Sequence, residues 1–270
     1  MDGEVQLEFV EKVAYVRLNR PEALNAFSHA LVRALSDALD AIDAHEDCRV
    51  IVISGNGRAF SAGGDLKEFR RRLTGSGRDD LTEFVHFVAD TLTRIAHNPR
   101  PVIAAVGGLA VAGGLELILC CDIVLAAHDV LIGDGHLRYG VLPGGGGAAR
   151  LIRKLPPNVA ARLLLTGEML PADYLREQGL VNEVLEPSAL STRAAQLAEH
   201  MAQLSPLAIS QVKHVAREAA QRPMADGLRL ELEAFAGYIG SPDFLEGITA
   251  FSQRREPVFQ PMERVEGSDE

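Results

Sequence analysis

Three short runs constrain the fold of this chain more than anything else in it. Arg49–Ser54 (RVIVIS), Val102–Val106 and Ile123–Ala126 are almost wholly apolar and rich in β-branched residues. The first two are followed by glycines, Gly55 with Gly57 and Gly107 with Gly108. A strand without polar alternation buries both faces, and such strands belong to parallel sheets covered by helices. Amphipathic stretches fall between them. Ala23–His45 carries Leu24, Phe27, Leu31, Leu35, Leu39 and Ile42 at three- and four-residue steps, and Leu81–His97 is a second helix, stopped by Asn98-Pro99. The alternation predicts an α/β fold with a mostly parallel sheet. Val5–Val10 and Val13–Leu18 alternate apolar and polar residues, which predicts a hairpin ahead of it.

Beyond Leu185 the character changes. Ser188–Leu204, Pro206–Ala220 and Met224–Ile239 have helical periodicity, and a last short helix is expected after Ser241-Pro242. The chain therefore divides into an α/β core over residues 1–187 and a helical region over residues 188–270. Thr74–Asp80 (TGSGRDD) and the acidic tail from Glu263 read as floppy segments.

Charge and cysteine usage exclude several functions. Lys and Arg total 27 against 37 Asp and Glu, giving a net charge of −10, and there is no Trp, so a nucleic-acid surface is not expected. Cys48, Cys120 and Cys121 have no metal or disulfide spacing and read as buried thiols of a cytoplasmic protein. The start of the chain is acidic, unlike a signal peptide, and Val102–Leu115 is too short and too rich in glycine to span a membrane. Gly108–Gly113 has P-loop spacing but runs into Gly114-Leu115 where Lys-Ser/Thr is required. There is no GxSxG elbow, and no His, Cys and carboxylate cluster with metal spacing.

Two glycine clusters remain, Ala59–Leu66 (AFSAGGDL) and Gly107–Leu117 (GGLAVAGGLEL). Each follows a buried run and leads to a helical segment. Glycine lets a ligand approach the backbone, and a helix start offers unpaired N–H groups. One N–H from each cluster, converging on a single oxygen, would stabilise charge developing on a carbonyl. Turns between strands and helices use glycine in any case.

The same residues, with others, resemble the crotonase superfamily, the enoyl-CoA hydratases and isomerases. The resemblance runs through RPEALNAF at Arg20–Phe27, AFSAGGDLKEF at Ala59–Phe69, and the long block Pro101–Ala127. It continues through Gly140–Leu151, Leu165–Val184 and Ser241–Phe259. It implies a crotonase-like spiral of ββα units, with a helical C-terminal region that builds a homo-trimer or a hexamer of paired trimers. It implies a coenzyme A thioester as ligand, with coenzyme A arriving as part of the substrate and no separate cofactor or metal.

By motif position, Gly64 and Gly113 supply the two N–H groups that polarise the thioester carbonyl. The substrate-contacting stretch falls at Gly64, Asp65, Leu66 and Lys67, and Leu24 and Ala62 meet the adenine and pantetheine portions. Glu116 matches the family's glutamate after the oxyanion glycine. The second glutamate of the hydratases falls at His136, a departure from the pattern.

Glu116 sits in an otherwise apolar run, where a carboxylate is costly unless it is paired or has chemistry to perform. It is expected to be the principal acid–base residue, with His136 orienting water or tuning it. Asp134, two residues away, is a candidate to compensate for the missing glutamate. Restoring Glu at position 136 is expected to favour hydration. Asp65 is expected to cap the helix that follows, Lys67 and Arg70–Arg72 to form a solvated face, and Gly144–Gly147 to bring a helix start towards the cleft. The default reaction is hydration or double-bond shift of a 2-enoyl-CoA. The alternatives are a CoA-ester hydrolase or decarboxylase of the same fold, or a non-catalytic CoA-binding protein.

Overall fold

The computed structural model describes residues 3–261, and the three apolar runs become neighbouring strands. The strands are β1 (Val5–Val10), β2 (Val13–Leu18), β3 (Val50–Gly55), β4 (Ala59–Ser61), β5 (Val102–Val106), β6 (Leu109–Val111), β7 (Ile123–Ala127), β8 (Leu131–Gly133), β9 (Met169–Pro171) and β10 (Glu183–Leu185). A six-stranded sheet has the order β1-β2-β3-β5-β7-β10, and a four-stranded sheet the order β4-β6-β8-β9. Pairing is parallel except in the β1–β2 hairpin and between β8 and β9. Every residue of β5 is buried, as a strand between two covered faces requires.

The second sheet is what sequence periodicity missed. Its strands are three residues long, too short to show a period. Each glycine-containing cluster therefore does not pass straight from strand to helix. It turns the chain from the large sheet into the small one first, from β3 to β4 and from β5 to β6. The turn is close: a Cβ on Gly108 would collide with the Arg58 carbonyl. This is the ββα spiral that the family resemblance implies.

The helices are α1 (His29–Ala44), α2 (Leu66–Gly75), α3 (Arg78–His97), α4 (Gly113–Cys120), α5 (Gly147–Lys154), α6 (Pro157–Thr166), α7 (Ala172–Glu177), α8 (Pro187–Ala202), α9 (Pro206–Ala219), α10 (Met224–Tyr238) and α11 (Pro242–Gln253). Helix α1 begins at His29 rather than at Ala23. Asn25, fully buried, accepts from Arg20 N at 2.7 Å and donates to the Ala59 and Asn56 carbonyls at 2.8 and 3.0 Å. These bonds hold Leu24 and Asn25 in the left-handed region, φ 55° and 53°, so no helix can pass through them. Ser28 then caps α1 by accepting from Leu31 N at 3.1 Å.

Thr74–Asp80 is likewise more ordered than its composition suggests. Helix α2 continues to Gly75 and α3 starts at Arg78, so only Ser76-Gly77 interrupts them. Arg72 bridges the junction, bonding Glu68 at 3.0 Å and Asp80 at 2.7 Å. The acidic tail from Glu263 lies outside the described residues.

Helix α8 buries a four-residue stripe, Leu190, Ala194, Ala198 and Ala202, against the large sheet. Helices α10 and α11 instead leave Leu228, Leu232, Phe235 and Phe251 exposed. Among the described residues no helix is long and apolar enough to cross a membrane, and no group of His, Cys, Asp and Glu could hold a metal ion. All three cysteines are free and buried.

Candidate active site

The N-terminus of α4 and the loop after β4 lie against each other. Phe27 N donates to the Gly63 carbonyl at 2.6 Å and Asp65 N to the Phe27 carbonyl at 3.1 Å. Gly64 N, between them, has no acceptor among the described residues. Gly113 opens α4 after Ala112, which holds φ 54°, and as a first-turn residue its N–H is also unpaired. A Cβ on Gly113 would lie 3.1 Å from Gly63 Cα and 3.0 Å from the Phe27 ring, so only glycine lets the two loops approach this closely. Gly64 and Gly113 line the same cavity, and their two free N–H groups are the kind of pair that holds a developing oxyanion.

Three residues further along α4 is Glu116, 3% exposed. Its Oε1 accepts two hydrogen bonds, from Gly145 N at 2.8 Å and Gly147 N at 2.9 Å. Its Oε2 has no hydrogen-bond partner among the described residues. Burial pushes the carboxyl pKa up, and the Gly147 bond, the His136 charge and the Gly145 bond hold it back only in part. The glycine run Gly144–Gly147 does bring a helix start, that of α5, to the cleft, and its N–H groups grip Glu116.

His136 opens a single 3₁₀ turn, His136–Tyr139, just beyond β8. Its Nδ1 lies 3.1 Å from Oδ2 of Asp134, whose side chain is 1% exposed, and Asp134 Oδ1 accepts the His136 backbone N–H at 3.3 Å. An ionised Asp134 makes Nδ1 the donor and leaves Nε2 free as an acceptor. Burial pulls the imidazole pKa down, but the Asp134 bond and charge, with Glu116 beyond, carry it above its ordinary value.

Glu116 and His136 share a cavity of about 690 Å³, within the usual range for a small-molecule site. Its apolar wall comes from Phe69 and Leu73 of α2 and from Leu81, Phe84, Val85 and Val88 of α3.

A family model described as enoyl-CoA hydratase/isomerase matches residues 8–262. The chain belongs to that family. It is 36% identical over 251 residues to the 2,3-dehydroadipyl-CoA hydratase of Escherichia coli K12, covering 93% of this chain and 96% of the relative. It is 33% identical over 254 residues to the crotonyl-CoA hydratase of Syntrophomonas wolfei, covering 94% and 96%. Among solved structures, the enoyl-CoA hydratase of Bacillus anthracis superposes with a TM-score of 0.89 at 32% identity, covering 95% of this chain and 98% of that one.

Of the residues singled out from sequence, Ala62, Gly64, Leu66, Gly113, Glu116 and His136 line the cavity of this hydratase/isomerase family member. Leu24, Asp65 and Lys67 do not. The Leu24 carbonyl instead accepts from Ala62 N at 2.9 Å, so it shapes the loop through its backbone. Asp65 caps α2, accepting from Lys67 N at 3.1 Å and Glu68 N at 3.2 Å, and pairs with Arg20 at 2.8 Å. Burial raises its pKa, but the Arg20 bond and the Glu68 N–H outweigh it and leave the carboxyl below its usual range. Lys67 is exposed.

The arginine run is not uniformly solvated: Arg71 is 77% exposed, but Arg72 only 15%, held by Glu68 and Asp80. Sequence reasoning missed Phe27, whose apolar spacing predicts a helix but which packs beneath Gly113. It also missed the pairing of Gly145 and Gly147 with Glu116, which no spacing rule connects across some thirty residues.

Proposed function

We propose that this acyl-CoA-processing enzyme adds water across the 2,3 double bond of an enoyl-CoA thioester. The observation that carries the reading is the disposition of Glu116, pinned through one carboxylate oxygen and free at the other, beside two unpaired backbone N–H groups and across from His136. The thioester oxygen takes the N–H groups of Gly64 and Gly113, which draw electron density from C3 and stabilise the enolate.

Water lies between Glu116 Oε2 and His136 Nε2. One of its protons passes to Oε2 as its oxygen bonds to C3, and the other is held by Nε2. The enolate then collapses and takes the proton from Oε2 at C2. One water is consumed, both residues return to their starting state, and Asp134 keeps Nε2 in its accepting tautomer throughout. Coenzyme A enters and leaves as part of the substrate, and the working assembly is a homo-trimer or a pair of trimers, with the exposed apolar faces of α10 and α11 available for it.

A second reading rests on the same Asp134–His136 pair: a water held by Nε2 and directed at the thioester carbon would hydrolyse the ester. Product mass separates the two. Purified protein incubated with 2-enoyl-CoA esters of several chain lengths should yield the substrate plus one water. Release of free CoA instead selects hydrolysis, and an unchanged mass with a moved double bond selects isomerisation.

A further inference from the structure

Gly144–Gly147 is a run of successive glycines, a poor device for holding two N–H groups on one oxygen unless something fixes it. Side chains crowd it closely. A Cβ on Gly145 would sit 2.6 Å from Glu116 Oε2 and 2.8 Å from Leu92 Cδ1, and one on Gly147 3.1 Å from Glu116 Oε1. Gly146 has φ 98°, and a side chain there would strike the guanidinium of Arg150. That guanidinium turns back over the start of its own helix. Its Nη1 donates to the Gly145 carbonyl, and its Nη2 donates to Thr93 Oγ1 on α3 at 3.0 Å. The loop is clasped between Glu116 on one side and Arg150 on the other.

We propose that Arg150 is a positioning residue for the active-site glutamate: by tying the Gly145 carbonyl to α3 it fixes the peptide planes whose N–H groups hold Glu116 Oε1. The inference rests on the reading of Glu116 as the proton-transferring group. The tether has two consequences. It leaves Oε2 as the only oxygen free for chemistry, and it preserves the N–H bonds that favour the carboxylate form in a buried site. The other groups facing Glu116 are His136 and Asp134 from beyond β8 and Cys120 one turn along α4, whose thiol burial pushes up to about 11. His97, at the end of α3, faces Arg150 from the far side, and burial with the Arg150 and Arg217 charges lowers its pKa.

Arg150→Met keeps the apolar stem and removes both bonds. In this variant the Glu116 carboxyl, followed across pH by infrared difference against Glu116→Gln, should titrate at higher pH than in the wild type. The kcat should fall by on the order of ten- to a hundredfold with KM nearly unchanged, since misplacement rather than lost binding is at issue. Arg150→Lys, which can reach the Gly145 carbonyl but not bridge to Thr93, should recover part of both effects.

Thr93→Val removes only the outer anchor and should move the titration the same way by less; it decides the matter if Arg150→Met does not fold. An unmoved Glu116 titration in the folded variants overturns the proposal. The infrared readout needs no turnover, so a wild-type enzyme that fails to hydrate enoyl-CoA would refute the reaction and leave this test standing.

Discussion

Replacing Glu116 by Gln and by Ala should separate its chemistry from its place in the fold. In Glu116→Gln the amide oxygen can still accept from Gly145 and Gly147, at positions now 2.8 and 2.9 Å from Oε1, while an NH₂ group that cannot take a proton occupies the site of Oε2. Loss of a positioned acid–base group is typically worth ~10²–10⁴ in rate, and kcat should fall by that order. Stability should not fall. The folded carboxyl pKa is raised above 4.5, chiefly by burial. Its contribution to stability is therefore complete below the ordinary value and is lost as pH rises through the folded one. Gln, uncharged at every pH, does not carry the desolvation cost that burial places on the ionised form of Glu116.

Glu116→Ala leaves both glycine N–H groups without an acceptor. A buried orphan costs ~1–3 kcal/mol; with the cavity alongside to admit water, the lower figure applies to each, about 2 kcal/mol together. For a chain of this size 1 kcal/mol moves Tm by roughly 2–4 °C, so Ala should melt about 4–8 °C below wild type while Gln melts level or higher. Thermal melts at pH 7 beside a product-mass assay measure both. Equal loss of Tm in the two variants would show that the glycine N–H groups do not hold Glu116, and full turnover in Glu116→Gln would remove it from proton transfer.

Bulk at Gly113 should act through the backbone: its Cβ points at Phe27 and Gly63 rather than into the opening, so Gly113→Val displaces the N–H itself, and loss of one oxyanion donor is worth ~10²–10³ in kcat. Arg71→Ala is the control, expected to be silent, and undiminished turnover in a Gly113→Val protein of native circular dichroism would sink the assignment. Asp134→Asn should let the His136 pKa drop and lower kcat by about tenfold, less than a direct proton-transfer group would. Because the His136 pKa is raised above 6.5, the stabilisation from its pair with Asp134 is complete below that pH and lost as pH rises through the folded value; the variant's Tm should therefore fall less than that of the wild type as pH rises above 6.5. Light scattering should report a trimer or hexamer, with Phe251→Glu, at a side chain 87% exposed in one subunit, weakening it; a monomer at micromolar concentration would refute the assembly.

The large sheet was legible because β3, β5 and β7 bury both faces and so carry unbroken apolar runs. The small sheet was not, because three-residue strands flanked by glycine look like turns. The start of α1 was misplaced because Leu24 and Phe27 continue its apolar spacing, and only the bonds of buried Asn25 decide that the chain there is bent. Within the site, Glu116 stood out as a lone carboxylate in an apolar run, and Gly64 and Gly113 through motif position. What holds them did not. Gly145, Gly147 and Arg150 act through backbone atoms or on them, and a residue's backbone role leaves no mark on the side-chain pattern beyond the demand for glycine.

The surroundings of His136 decide what a carboxylate at position 136 would do. If His136 merely replaced a second carboxylate, His136→Glu should restore the arrangement of the family's hydratases and raise hydration. But a carboxylate is already present, one step back: Asp134 is buried and bonded to the imidazole at 3.1 Å. The imidazole is thus interposed between that carboxylate and the cavity, presenting Nε2 while Asp134 sets its tautomer. Glu in its place would meet Asp134 at close range with Glu116 across the cavity, and adjacent carboxylates cannot all ionise. One would hold a proton through neutral pH, and the base that hydration needs would be compromised. His136→Glu alone should therefore lose activity and stability. His136→Glu combined with Asp134→Asn, which removes the clash while keeping a partner for the loop, should recover part of both. Steady-state rates and melts of the single and double variants decide it: a single variant faster than wild type would show that Asp134 does not govern position 136.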